Sequence, residues 1–172
     1  MNVYYAKSLL YAYSNLEKVM EQIDELVEKR ALSSISDVSP AIYQYEKILS
    51  LTEQKDVLIV LKKKMDDVLK RFSVSDLDYF DYKYFKVKPR EYFIKFDFTS
   101  RAYFRRQIKL VAKFSERMEK AGVDDEWFKN YCCSTEFFKE LLKRVIEHEK
   151  LFNKNKSKNS GVSKVKPQKS IA

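Results

Sequence analysis

Two glycines, Gly122 and Gly161, are all that a chain of 172 residues offers for backbone conformations closed to other side chains. Tight hairpins, phosphate-cradling loops and dinucleotide-binding turns each need glycine at positive φ. Folds built on those elements are therefore excluded, and a helical chain remains. Hydrophobic residues make up 45% of it and aromatic residues 15%, which rules out a wholly disordered chain. A chain of this length buries roughly 70% of its extended surface on folding, so it supports a core without staples. The expected fold class is all-α.

Apolar residues recur at Ala6, Leu9, Tyr13, Leu16, Met20, Ile23 and Val27. The alternating steps of three and four mark one stripe of a long helix, from about Val3 to Ala31. Its expected use is to pack on the chain's own next helix, making an N-terminal antiparallel helical pair. A homodimer seam along 6–27 is the competing use. The Ser- and Asp-rich run 32–40 is a loop, with Ser39 and Pro40 opening a second helix. That helix reaches about Phe72, and a capping box at Ser50 and Glu53 predicts a break in it. Ser75 is expected to cap a helix over 76–85, and Pro89 to start a short one through Phe96. Thr99 or Ser100 then caps a helix reaching Lys120, which Gly122 terminates. Asp124 or Asp125 opens a helix with Trp127 and Phe128, and Ser134 caps the last one. The domain reading is 1–72 helical, 73–120 a central unit, 121–152 a C-terminal helical cap, and 153–172 a disordered basic tail.

Charge is segregated along the chain. Residues 1–82 carry a net charge of −3, residues 83–120 carry +8, residues 121–149 carry −3, and residues 150–172 carry +7. A general excess of lysine does not produce such blocks. A basic block between acidic ones points to a surface for a polyanion. On a wheel at about 100° per residue, Arg101, Arg105, Lys109, Lys113 and Arg106 occupy one arc of the helix at 100–118. Tyr103, Phe104, Ile108, Leu110, Val111, Phe114 and Met118 occupy the other and are expected to dock on the core, Phe104 as a fully buried ring. Guanidinium groups on a rigid helix reach phosphates and guanine edges in a major groove.

Other chemistry has little to work with. The cysteines, Cys132 and Cys133, are adjacent and read as reduced core residues. The lone His148 lies between Glu147 and Glu149 and reads as solvated. The sequence shows no catalytic set, no metal-ligand cluster and no cofactor motif, so no enzyme, cofactor or metal is expected. The chain also lacks an apolar run of membrane-spanning length and an export signal, so the expected location is cytoplasmic, without membrane contact.

Three runs stand in succession: Asp78-Tyr79-Phe80-Asp81-Tyr82-Lys83-Tyr84-Phe85, then Pro89-Arg90-Glu91-Tyr92-Phe93, then Ser100-Arg101-Ala102-Tyr103-Phe104-Arg105-Arg106-Gln107-Ile108. This order resembles the helix-turn-helix in the promoter-reading C-terminal region of bacterial sigma factors. It is most similar to the sigma-like transcriptional regulators carried by phages and mobile elements of low-GC Gram-positive bacteria. The resemblance covers residues 73–118 by motif and 31–72 by layout. It implies duplex DNA as partner, transcriptional regulation as role and RNA polymerase as a further contact. It would place Ser100, Arg101, Arg105 and Arg106 at the DNA, and Lys109 and Lys113 continue that arc. Lys83, Lys86, Lys88, Arg90 and Lys95 would supply phosphate contacts. The competing classes are a helical protein–protein interaction module, supported by the 6–27 stripe, and an RNA binder stacking bases on the aromatic residues of 79–96.

Overall fold

The computed structural model describes residues 1–33, 41–87 and 99–159, without the side chains of 41, 100 and 152–159. Every regular element among them is helical, so the chain is all-α. Helices α1 (Val3–Tyr13), α2 (Leu16–Ser33), α3 (Ala41–Leu69) and α4 (Val74–Phe80) come first. A π-helical turn at Asp81–Phe85 extends α4, and α5 covers Ser100–Lys120. A short turn at Asp125–Trp127 runs into a second π turn, Phe128–Cys132, and α6 spans Glu136–Asn159.

The single helix expected over 3–31 is two helices. Asn2 caps α1 by accepting from the Tyr4 N–H at 2.9 Å. The helix ends where Ser14 and Asn15 turn the chain, with the Asn15 N–H on the Ala12 carbonyl at 2.8 Å. The two halves need different surroundings. Ala6, Ser8, Leu9, Leu10 and Ala12 of α1 are all buried, whereas α2 buries only Leu16 and Ile23. A kink lets the first half enter the core while the second stays on the surface.

Helices α2 and α3 form the antiparallel pair. Lys62 meets Glu17 at 3.1 Å, Lys55 meets Asp24 at 2.6 Å, and Arg30 donates to Gln44 at 3.4 Å. One residue number rises as the other falls, which fixes the direction. The 6–27 stripe is thus covered by the same chain, with Ala6, Leu9, Leu16 and Ile23 buried, and offers no open dimer seam. No break occurs at Ser50. The Thr52 hydroxyl donates back to the Ile48 carbonyl at 3.0 Å, a bond made within a continuous helix and not at a cap. Beyond it Leu58, Leu61, Met65, Val68, Leu69 and Phe72 are buried.

Ser73, not Ser75, caps α4, accepting from the Asp76 N–H at 3.3 Å. Lys86, at φ 55°, closes the first π turn in the left-handed conformation that glycine usually supplies at a helix C-terminus. The rings that follow Asp78 turn inward: Tyr79, Phe80, Tyr84 and Phe85 are buried. Phe80 lies edge-on to Phe72 at 5.2 Å and to Phe114 at 6.2 Å, and Tyr84 edge-on to Tyr11 at 4.8 Å. Those four rings are therefore core and offer no face for stacking bases. The short helix expected from Pro89 to Phe96, and the turn after it, lie outside the described residues.

The end of α5 follows expectation. Gly122 donates to the Glu119 carbonyl and Val123 to the Met118 carbonyl, each at 2.9 Å, with Gly122 at φ 77°. This is a Schellman motif, and its two fully buried apolar residues, Val123 and Met118, close it. Lys64 donates to the Ala121 carbonyl and ties the turn to α3. Asp124 caps the next turn, accepting from the Trp127 N–H at 2.8 Å. Thr135 takes the capping role expected of Ser134, accepting from the Phe138 N–H at 3.4 Å. Cys132 is buried, Cys133 half-buried, and both are free thiols whose pKa burial pushes up. Helix α6 continues to Asn159, past residue 153 where a disordered tail was expected to begin; 160–172 lie outside the described residues.

Gly122→Ala is expected to cost about 1–2 kcal/mol, because a Cβ at positive φ is strained. That Cβ would also stand 3.3 Å from the Lys64 Nζ and press on the bond tying the turn to α3. Thermal unfolding checks it, and an unchanged Tm would show that the turn relaxes without loss.

Candidate nucleic-acid interface

Helix α5 starts from Thr99, whose hydroxyl oxygen accepts from the Ala102 N–H at 3.3 Å. Its first turn contains no acidic residue and does contain Arg101, the reverse of what the helix dipole favours. The helix docks through Leu110, Val111, Phe114 and Met118, all buried. Ser115 is buried beneath the chain's start, donating to the Met1 carbonyl at 2.8 Å.

Two residues assigned to the core arc lie elsewhere. Phe104 is 39% exposed and Ile108 71% exposed. Ser115, which falls between them on the wheel, is buried, so this arc is covered toward the C-terminal end of α5 and open toward its N-terminal end. Tyr103 turns inward in place of Phe104, its ring 5.4 Å from that of Tyr79. Phe104 and Ile108 stand on the wall of an open groove of 840 Å³ between α1, α5 and α6.

Packing against α4 divides the basic arc. Arg106, 22% exposed, donates to the Ser75 carbonyl at 2.9 Å, to the Ser75 hydroxyl at 2.7 Å and to the Asp76 carboxylate at 3.1 Å. Lys113 meets the other Asp76 oxygen at 3.6 Å and lies over the Phe72 ring at 5.1 Å. Arg106 and Lys113, expected at the DNA, thus bind α5 to α4, because they flank the buried arc where Asp76 waits. Burial pushes the Asp76 carboxyl up, but Ser73, Arg106 and Lys113 outweigh it and hold it below its ordinary value.

Arg101, Arg105 and Lys109 remain in a row, all exposed, and form no hydrogen bond or ion pair among the described residues. Lys86 is exposed at the close of the first π turn. Lys83, expected at phosphates, is half-buried instead, facing Lys7 and Glu149. Ser100 is the first residue of α5, and its side chain is not described. Lys88, Arg90 and Lys95 lie outside the described residues. The apolar groove is the feature that sequence reasoning missed. Its signal was the width of the apolar arc of α5, too broad for one docking surface.

Arg106→Ala is expected to destabilise by about 1–3 kcal/mol, since it strands a mostly covered carboxylate, while Arg105→Ala stays within about 0.5 kcal/mol. The Asp76 tie has a pH signature. With the folded pKa below its ordinary 3.8, its stabilisation is complete above that value and disappears as pH falls through the folded one. Asp76→Asn should flatten that acid limb of stability in denaturant titrations, and an unaltered limb would count against the tie. Phe104→Ala, a major loss had the ring been buried, is expected to cost under about 1.5 kcal/mol by the same titrations.

Among the described residues, no helix is long and apolar enough to cross a membrane. No family model matches the chain, and searches of curated proteins and of solved structures found no match.

Proposed function

We propose that the protein binds duplex DNA through the N-terminal half of α5 and acts in transcriptional regulation. The observation that carries the reading is the exposed row of Arg101, Arg105 and Lys109, unpaired among the described residues. At 1.5 Å per residue the row spans about 12 Å, the width of a major groove. A structural surface would intersperse carboxylates at this spacing to gain a few tenths of a kcal/mol per pair. The acids that α5 does carry, Glu116 and Glu119, stand near its far end and are held by Lys120 and the Met1 ammonium. Lys86 adds a fourth exposed cation to the same reading. The sigma-like order of the segments supports the regulatory role, with RNA polymerase as the further partner it implies.

A second reading, a helical protein–protein interaction module, is favoured by one feature. Leu32, Ile42, Tyr45 and Leu49, all from the α2–α3 pair, are exposed apolar side chains. Salt dependence separates the two.

With about four phosphates neutralised, log K for random duplex should fall with log salt at a slope near −3.6. Replacing Arg105 by Ala is expected to weaken binding to a selected site by about 1–3 kcal/mol if it reads a base, and random DNA much less. Fluorescence anisotropy across a salt series measures both. A flat salt response, or identical affinity for the wild-type and the R101A/R105A/K109A chain, would remove DNA as the partner and leave the interaction module.

A further inference from the structure

The groove beside α5 carries an electrostatic mismatch that the fold does not use. At one end Lys7 and Lys83 face a single carboxylate, Glu149, and Lys7 takes it at 2.7 Å. Lys83 is left half-buried, with no hydrogen bond or ion pair among the described residues. Burial disfavours its charged form, Glu149 partly restores it and Lys7 opposes it. The carboxylates at the other end are matched, Glu116 by Lys120 at 2.6 Å and Glu119 by the Met1 ammonium. His148, at the rim, is exposed. Among the described residues, the vacancy in charge is therefore one anion, beside Lys83.

The rest of the groove is apolar, with Phe104, Ile108 and Val111 along its α5 wall. Its lining follows α5 from Tyr103 to Glu119, about 24 Å at 1.5 Å per residue. A groove of this length, with an apolar wall and Lys83 at one end, suits an extended apolar chain with an anionic head. Its volume lies within the usual range of small-molecule sites.

We propose that this groove binds a free long-chain fatty acid, its carboxylate beside Lys83 and its hydrocarbon chain along Ile108 and Val111. The site is distinct from the Arg101–Arg105–Lys109 row and does not depend on DNA being the partner of that row.

The test is calorimetric titration of the full-length protein with decanoate, dodecanoate and tetradecanoate, each below its micelle concentration, and with monomeric dodecyl maltoside as an uncharged chain. One-to-one saturation is expected, strengthening about two- to fourfold per added methylene. Lys83→Met should weaken the carboxylates about tenfold and leave the maltoside unchanged. Ala112→Trp, at an exposed lining position, should obstruct every ligand, and circular dichroism shows whether each variant is folded. If Lys83→Met does not fold, Ile108→Asp replaces it, since that side chain already faces solvent, and it should abolish binding of all the chains. Affinity independent of chain length, many ligands per protein, or unaltered affinity in the folded variants would overturn the proposal. So would saturable binding of an acidic amphipathic peptide combined with no saturable fatty-acid binding.

Discussion

The enclosure of α1 sets the position of everything else. Its sequence, Val3 to Tyr13, has apolar residues on nearly every side, so no single neighbour can shield it. The chain supplies three: α5 and α6 pack along it, and the first π turn closes on its C-terminal half. Burying Leu9 and Leu10 in full contributes about 1.5–3 kcal/mol each. The polar bonds at its ends fix the register. Ser115 holds the Met1 carbonyl, Asp125 takes the Asn2 N–H at 2.5 Å, and the Tyr13 hydroxyl donates to Asp66 at 2.6 Å. Because α5 touches both α1 and α3, how much of its apolar arc is covered is determined by this enclosure and not by its own amphipathic pattern alone.

That dependence marks the limit of what the sequence discloses. Helical class, the Thr99 and Asp124 caps and the Gly122 terminus are local, decided by side chains within a few residues of the feature, and the antiparallel pair follows from two amphipathic helices in succession. They were legible for that reason. The kink at Ser14–Asn15 was not, because Ser and Asn are compatible with a helix interior and only the differing burial of α1 and α2 forces the turn. Nor was the continuity of α3 through Ser50. Ser50 and Glu53 have the letters of a capping box, but packing against α2 on both sides keeps the helix whole.

The site shows the same division. Which residues form a basic arc on α5 was plain from spacing alone. Which of them stay open was not, since Asp76 lies 30 positions from Arg106 and reaches it only through the fold. A carboxylate on α4 therefore sorts five cations that look alike in sequence. Arg106 and Lys113 are drawn to it and become part of the helix packing; Arg101, Arg105 and Lys109 are turned away from it.

Three local rules are broken close together. Arg101 stands in the first turn of α5, where a cation opposes the helix dipole at a cost of about 0.3–1 kcal/mol. Phe104 and Ile108 leave apolar surface in water on a helix whose core side is already filled. Lys83 keeps an ammonium half-buried without a matching carboxylate of its own among the described residues. None of these is needed to close the fold, because Tyr103 and Phe114 complete the packing on the other side of α5. Departures scattered over the surface would have no common meaning. Here all three lie on the N-terminal half of one helix and the groove beside it, the one region among the described residues where local rules and the fold disagree together.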